Sequence, residues 1–364
     1  MNLAYGQYTQ EELIKALSEE SRTVFYEFIL VDPHGNFINT ISIDNAKISY
    51  DSANEVMRTL SGQVRASDII DIDRLDYYIR PYMCLKYKKD VVRWPLGLFL
   101  INLSGDYEEK NKLLEVIGYD VGKIALDDKT DTRTYAPGST VYTSFAAQVA
   151  GTLYSNVNVV PSEKSSSNGL EWDIGTEKLV VINDTLRSIN YNPLHFDEYG
   201  TGQIKPFIFD EDRTVDHVYQ DNDTSVILDG ITIDTDRFEV PNKFVRYVEN
   251  PDAAYLISTY LNDDPNSPYS TVNRGRVIVD IDSVDDIATQ GDLDNLVYRI
   301  AAQANSTEEI EFSTLNMPGH GYRDCIFLSI KTYGIEGKYI ETSWEMDLSE
   351  GGLMTHLVKK EALL

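Results

Sequence analysis

Between Thr23 and Tyr119 the chain repeats one pattern: a short run of β-branched, aromatic and aliphatic residues closed by Asp, Gly, Pro or Ser. The runs are Val24 to Val31, Phe37 to Ile43, Lys47 to Tyr50, Glu55 to Val64, Tyr77 to Tyr87, Leu96 to Leu103 and Leu113 to Tyr119. Asp32-Pro33-His34-Gly35-Asn36 joins the first two as a hairpin turn. Runs this short, bounded this often by turn formers, fit strands and leave no length for long helices. The pattern predicts a β-barrel or sandwich over roughly the first 120 residues.

The period is helical in three other places before residue 200. Thr9-Gln10-Glu11-Glu12 has the form of a capping box, and Leu13, Ile14 and Leu17 follow at helical spacing. After Asp120 to Ile124 lead out of the strands, Pro137-Gly138-Ser139-Thr140 precedes Val141, Phe145, Val149 and Leu153 on one helical face. A further helix opens at Thr176, with Leu179, Ile182, Leu186 and Ile189 on one face. Pro193 is expected to end it, since proline lacks the amide hydrogen and its ring clashes with the preceding turn. Ser162 to Gly169, between these helices, is a polar loop free to move or to contact a neighbour.

Strand character returns in Pro206 to Phe209, Ser225 to Asp234 and Lys243 to Val248, broken by the acidic stretch Asp210 to Asp223. Asn262 to Ser270, a strand from Arg276 to Ile281 and a helix capped by Asp292 interrupt it, the helix carrying Leu293, Leu296, Val297 and Ile300 on one face. Thr307 to Ser313, Asp324 to Thr332, Tyr339 to Leu348 and Leu353 to Val358 close the chain as strands. The order β-rich, helical, β-rich with a helical insertion is a weak internal duplication. At 364 residues the chain exceeds what one core fills, and divides as 1–125, 126–205, 206–250 with 307–364, and 251–306.

Acid dominates, with 32 Lys plus Arg against 59 Asp plus Glu and a net charge of −27. A surface of that sign repels nucleic acid backbone, which excludes gripping DNA but suits a wall that DNA slides past. The 24 Tyr and 12 Phe argue against disorder. Cys84 and Cys325, far apart in strand-like runs, read as buried free thiols. No leader pattern and no apolar stretch near ~20 residues is present, so no membrane anchor is expected and synthesis is placed in the cytoplasm.

No constellation points to chemistry. His34, His195, His217, His320 and His356 are scattered singly with no zinc spacing, and His195 reads as a solvated turn residue after Pro193. Asp71-Ile72-Asp73 and Asp280-Ile281-Asp282 alternate as half-buried strands do, without the calcium-loop pattern. Arg274-Gly275-Arg276 is a small basic island before a strand. There is no nucleophile elbow and no phosphate-cradling loop, so no catalytic, metal or cofactor residues are assigned and no cofactor is expected.

Trp94-Pro95-Leu96-Gly97-Leu98-Phe99-Leu100-Ile101, followed by Leu114 to Asp120, resembles the tube domain of phage baseplate hub proteins. Leu179 to Tyr191 running into Asn192-Pro193-Leu194-His195-Phe196-Asp197 is similar to the family's inserted domain. Asn262 to Arg276, with Pro265 and Pro268, resembles its second insertion, and Thr307 to His320 the return into the second tube domain. The resemblance spans Thr23 to Leu357 and rests on structural turns, so the residues singled out are Pro95, Gly97, Pro193, Pro265 and Pro268. It implies a β-rich α+β fold, two similar β-barrel-like tube domains with two inserted α/β domains. It further implies a structural, non-enzymatic homotrimer in the tail tip or baseplate of a bacteriophage virion. Such a ring continues the tail tube, adapts its sixfold symmetry to threefold tip proteins and opens a channel for DNA ejection. Its partners are a tail tube or distal tail protein on one side and a tip or spike protein on the other. The form expected is a short one, without a C-terminal lysin or fibre region. Two alternatives stay open: a wall-degrading or carbohydrate-active enzyme, marked by an acid pair in a cleft, and a receptor-binding tip protein.

Overall fold

The computed structural model describes residues 3–19, 21–65, 77–104, 113–137, 140–165, 169–208, 212–222, 225–234, 238–248, 255–284, 287, 289–305 and 308–360. Asp71-Ile72-Asp73 lies outside them. The strands predicted from the two ends of the sequence lie in one 14-stranded sheet. Across it, the order is Thr232–Asp234, Glu308–Leu315, Leu353–Lys360, Ile335–Asp347, Asp44–Asp51, Arg58–Arg65, Leu113–Asp120, Phe99–Ser104, Tyr78–Tyr87, Thr23–Val31 and Phe37–Ile41. Asp90–Pro95 adds to Tyr78–Tyr87, Cys325–Ile330 to Ile335–Asp347, and His217–Gln220 to Cys325–Ile330 in parallel.

One seam joins the two halves. Asp44–Asp51 runs antiparallel to Ile335–Asp347, with Tyr50 opposite Trp344 and Ile48 opposite Met346. The Tyr50 and Trp344 rings stack at 5.6 Å, and the buried Arg58 guanidinium lies over both. Lys47 and Glu345 pair at 2.7 Å on the wet face, an exposed contact of small energetic weight. Most of the cohesion is apolar, since a single buried cluster runs from Leu3 to Val116 and resumes from Tyr219 to Val358.

The intervening residues build separate cores. Helices Gly122–Asp127, Tyr142–Gly151 and Lys178–Ser188 pack with two small sheets around Ala146, Leu179, Ile182 and Leu186. Lys178–Ser188 stops five residues before Pro193, which corrects the expected stop. Asn190 takes the left-handed conformation at φ 61°, its N–H donates to the Arg187 carbonyl, and Tyr191 N–H donates to Leu186. That pair of bonds is a Schellman ending, with asparagine in the position glycine usually fills.

A second insertion packs helix Gln290–Asn305 on the sheet Ile257–Leu261, Lys243–Tyr247, Val279–Ser283. Lys243–Tyr247, expected in the second tube stretch, is the central strand of this sheet. The helix is capped by Thr289, whose hydroxyl accepts from Asp292 N–H at 3.2 Å, so Asp292 is not the cap but its partner. The two insertions touch. Lys164, in the polar loop, pairs with Asp292 at 2.5 Å, and Arg299 donates to Asn190.

Candidate functional site

The singled-out residues lie in three places: Pro95 and Gly97 at the end of a strand of the large sheet, Pro193 in the first insertion, Pro265 and Pro268 in the second. Pro95 ends strand Asp90–Pro95 opposite Tyr82, and Gly97 follows at φ 141°. A Cβ on Gly97 would lie 2.7 Å from the Phe99 ring, so only glycine lets the chain turn back there. Leu98 then reaches the first insertion, so close that a Cβ on Gly200 would meet it at 2.8 Å. The Pro193 carbonyl accepts from His195 Nδ1 at 2.9 Å. His195 is buried rather than solvated, stacks on Tyr322 at 4.2 Å, and is pushed down to about 4 by burial. Pro265 and Pro268 sit in the other insertion, where the Pro265 carbonyl accepts from Asn273 at 2.8 Å. Arg274 and Arg276, on either side of the left-handed Gly275, donate to the Val240 and Phe238 carbonyls.

Beside His195 the first insertion meets the second half of the sheet around a cavity of about 660 Å³, lined by Lys205, Arg213, Asp216, Tyr322 and Asp324 among others. Behind its Asp324 wall lies a polar cluster that spacing along the sequence could not reveal. His217, His320 and His356 come from three distant segments and converge there.

His217 Nε2 faces Asp324 Oδ2 at 3.1 Å, and its ring stacks on His320 at 3.9 Å and 4°. His320 Nδ1 lies 2.7 Å from Glu341 Oε2, and His356 Nδ1 lies 2.6 Å from Glu341 Oε1. The remaining ring nitrogens meet hydroxyls, His320 Nε2 with Tyr219 at 2.9 Å and His356 Nε2 with Thr314 at 2.8 Å. Burial drives His320 well below its usual range and His356 down to about 4, while it raises Glu341 and Tyr219. For His217, burial acts downward but Asp324 outweighs it and raises the ring, and His217 in turn holds the buried Asp324 low.

Two triads, His217 with His320 and Asp324, and His320 with Glu341 and His356, place three ligand atoms within 4.8 Å of one another. Bonds of about 2.0 to 2.1 Å to a tetrahedral zinc ion would set neighbouring ligand atoms about 3.3 to 3.4 Å apart. The 2.6 and 2.7 Å separations around Glu341 are shorter and are hydrogen-bond lengths. In the other triad the His217 and His320 rings lie parallel, 3.9 Å apart.

No family model and no curated protein matches the sequence. Solved structures do match. A tail protein from Neisseria meningitidis aligns over 92% of this chain and 97% of its own, with a TM-score of 0.65 at 10% identity. The fold is that of phage tail proteins. The 43 kDa tail protein of a Shewanella oneidensis prophage shares this tail-protein fold at TM-score 0.62 and 10% identity, over 92% and 98% of the two chains. A Francisella PdpA–VgrG complex shares it at 0.54 and 7% identity, covering 94% of this chain and 53% of that one.

Proposed function

We propose that this chain is the structural hub of a phage tail tip or baseplate, a homotrimer whose subunits each contribute two tube domains to a ring that continues the tail tube. The observation that carries the reading is the sheet itself. Two sets of strands, from either end of the sequence, meet edge to edge at Asp44–Asp51 and Ile335–Asp347, with the helical insertions on loops between them. Likeness to two tail proteins over more than nine-tenths of each chain supports it. In this reading residues 206 to about 240 and 307–364 form the second tube domain, the insertions face neighbouring subunits, and acid lines a channel that DNA crosses without being bound. A tube or distal tail protein meets one side of the ring and a tip or spike protein the other.

The enzymatic reading needs a carboxyl raised by its surroundings in an open cleft. Among the described residues the raised carboxyls are Asp120 and Glu341, and both are buried and hydrogen-bonded within the fold. Light scattering on a sizing column, with negative-stain images of the same peak, tests the hub. A trimer with a central opening is expected. A monomer that stays single as concentration rises, together with wall hydrolysis, would overturn it.

A further inference from the structure

We propose that Glu341 holds its acid proton in the folded chain, and that Tyr219, His320, Glu341, His356 and Thr314 form one hydrogen-bonded chain running in a single direction to the Leu315 carbonyl. Thr314 Oγ1 has one proton, and it donates that proton to the Leu315 carbonyl at 2.9 Å. At its other contact it therefore accepts, so His356 carries its hydrogen on Nε2 and turns a bare Nδ1 lone pair toward Glu341 Oε1, 2.6 Å away. Lone pairs face each other at that distance only with a proton between them. At the other end the proposed order makes the Tyr219 hydroxyl the donor to His320 Nε2, which keeps the His320 hydrogen on Nδ1, aimed at Glu341 Oε2. Each donor then meets one acceptor, and no net charge is left among side chains at most 1% exposed.

Two further charged groups border this chain. His217 on strand His217–Gln220 pairs with Asp324, which immediately precedes strand Cys325–Ile330, and the Arg58 guanidinium on Arg58–Arg65 donates to the His320 carbonyl. Strands Glu308–Leu315 and Leu353–Lys360 bring Thr314, Phe312 and His356 to the site, with Phe312 stacked on His356 at 4.7 Å. Burial favours the uncharged form of each of the four titratable members, in agreement with the proton placement.

The consequence is a joint sensitive to pH from both sides. A carboxyl raised on folding contributes stability that is complete below the unfolded carboxylate range, about 4.3, and is lost as pH rises through its folded value. Histidines lowered on folding contribute stability that is complete above about 6.5 and lost as pH falls. Glu341→Gln separates the two, because its NH₂ can donate to His356 and its carbonyl can accept from His320, reproducing the protonated acid and nothing else.

Thermal unfolding of the full chain and of Glu341→Gln tests this. At about pH 5 the variant is expected within about 2 °C of wild type, and its Tm relative to wild type should climb steadily toward about pH 9. A variant less stable than wild type by more than that at every pH would mean a carboxylate flanked by two N–H donors, and would overturn the proposal. The wild-type protein supplies a second readout through nitrogen-15 histidine shifts. His320 is expected protonated on Nδ1 and His356 on Nε2. Both rings protonated on Nδ1, or a doubly protonated His356, would refute it.

Discussion

Gly97 shows what one residue must do for the sheet. Its positive φ and the Phe99 ring 2.7 Å from its missing Cβ forbid a side chain, while the turn it forms carries Leu98 to the first insertion. Gly97→Ala is expected to cost about 2 to 4 kcal/mol, seen as a lower urea midpoint with an unchanged slope. A midpoint equal to wild type would mean that the turn relaxes freely. The residue was legible because Pro-Leu-Gly between apolar runs announces a turn. His195 was not, since proximity to a proline in sequence says nothing about the Tyr322 ring, more than a hundred residues later, that covers it.

At the scale of elements, β-branched and aromatic runs bounded by turn formers made the long strands from Thr23–Val31 to Leu113–Asp120 visible, and in the last of them buried and exposed positions alternate. Three-residue strands such as Val157–Val159 offer too few positions for any period, and helix Gly122–Asp127 is too short to show one. Strand Lys243–Tyr247 was visible but not its sheet, because pairing with Val279–Ser283 depends on a loop of insertion length. The histidine cluster escaped for the same reason: His217 and His356 lie on separate strands and His320 on a connection between strands, and their adjacency is a property of topology. The stop of helix Lys178–Ser188 supplies a test at this scale. Asn190→Gly keeps the left-handed turn but gives up the bond from Arg299, so it should lose about 1 kcal/mol, and Asn190→Val should lose about 1 to 2 kcal/mol more, since a β-branched residue resists the left-handed region. Pro193→Ala should shift Tm by no more than a few degrees. Equal losses at Asn190 and Pro193 would mean that the proline shares in ending the helix.

At the scale of the whole molecule, charge sets the terms of assembly. In the proposed ring three copies would bring three times −27, so electrostatics would oppose assembly and apolar contact would have to hold it. Association measured by sedimentation is therefore expected to tighten as salt rises from well below to above about 0.15 M, where the screening length falls below about 8 Å. Loosening with salt would point to ion pairs across the subunit boundary.

The seam also sets a timetable for synthesis. Ser343 pairs with Asp51, so nearly three hundred residues separate strand partners that no shorter segment can substitute. At about 5 to 20 residues per second, Asp44–Asp51 waits about 15 to 60 seconds on the ribosome for its neighbour. Throughout that wait Ile48 and Tyr50 flank an unsatisfied backbone edge. The late strand of another nascent chain fits that edge equally well, so crowded translation would favour exchange of C-terminal strands between copies, and slower elongation would favour it more.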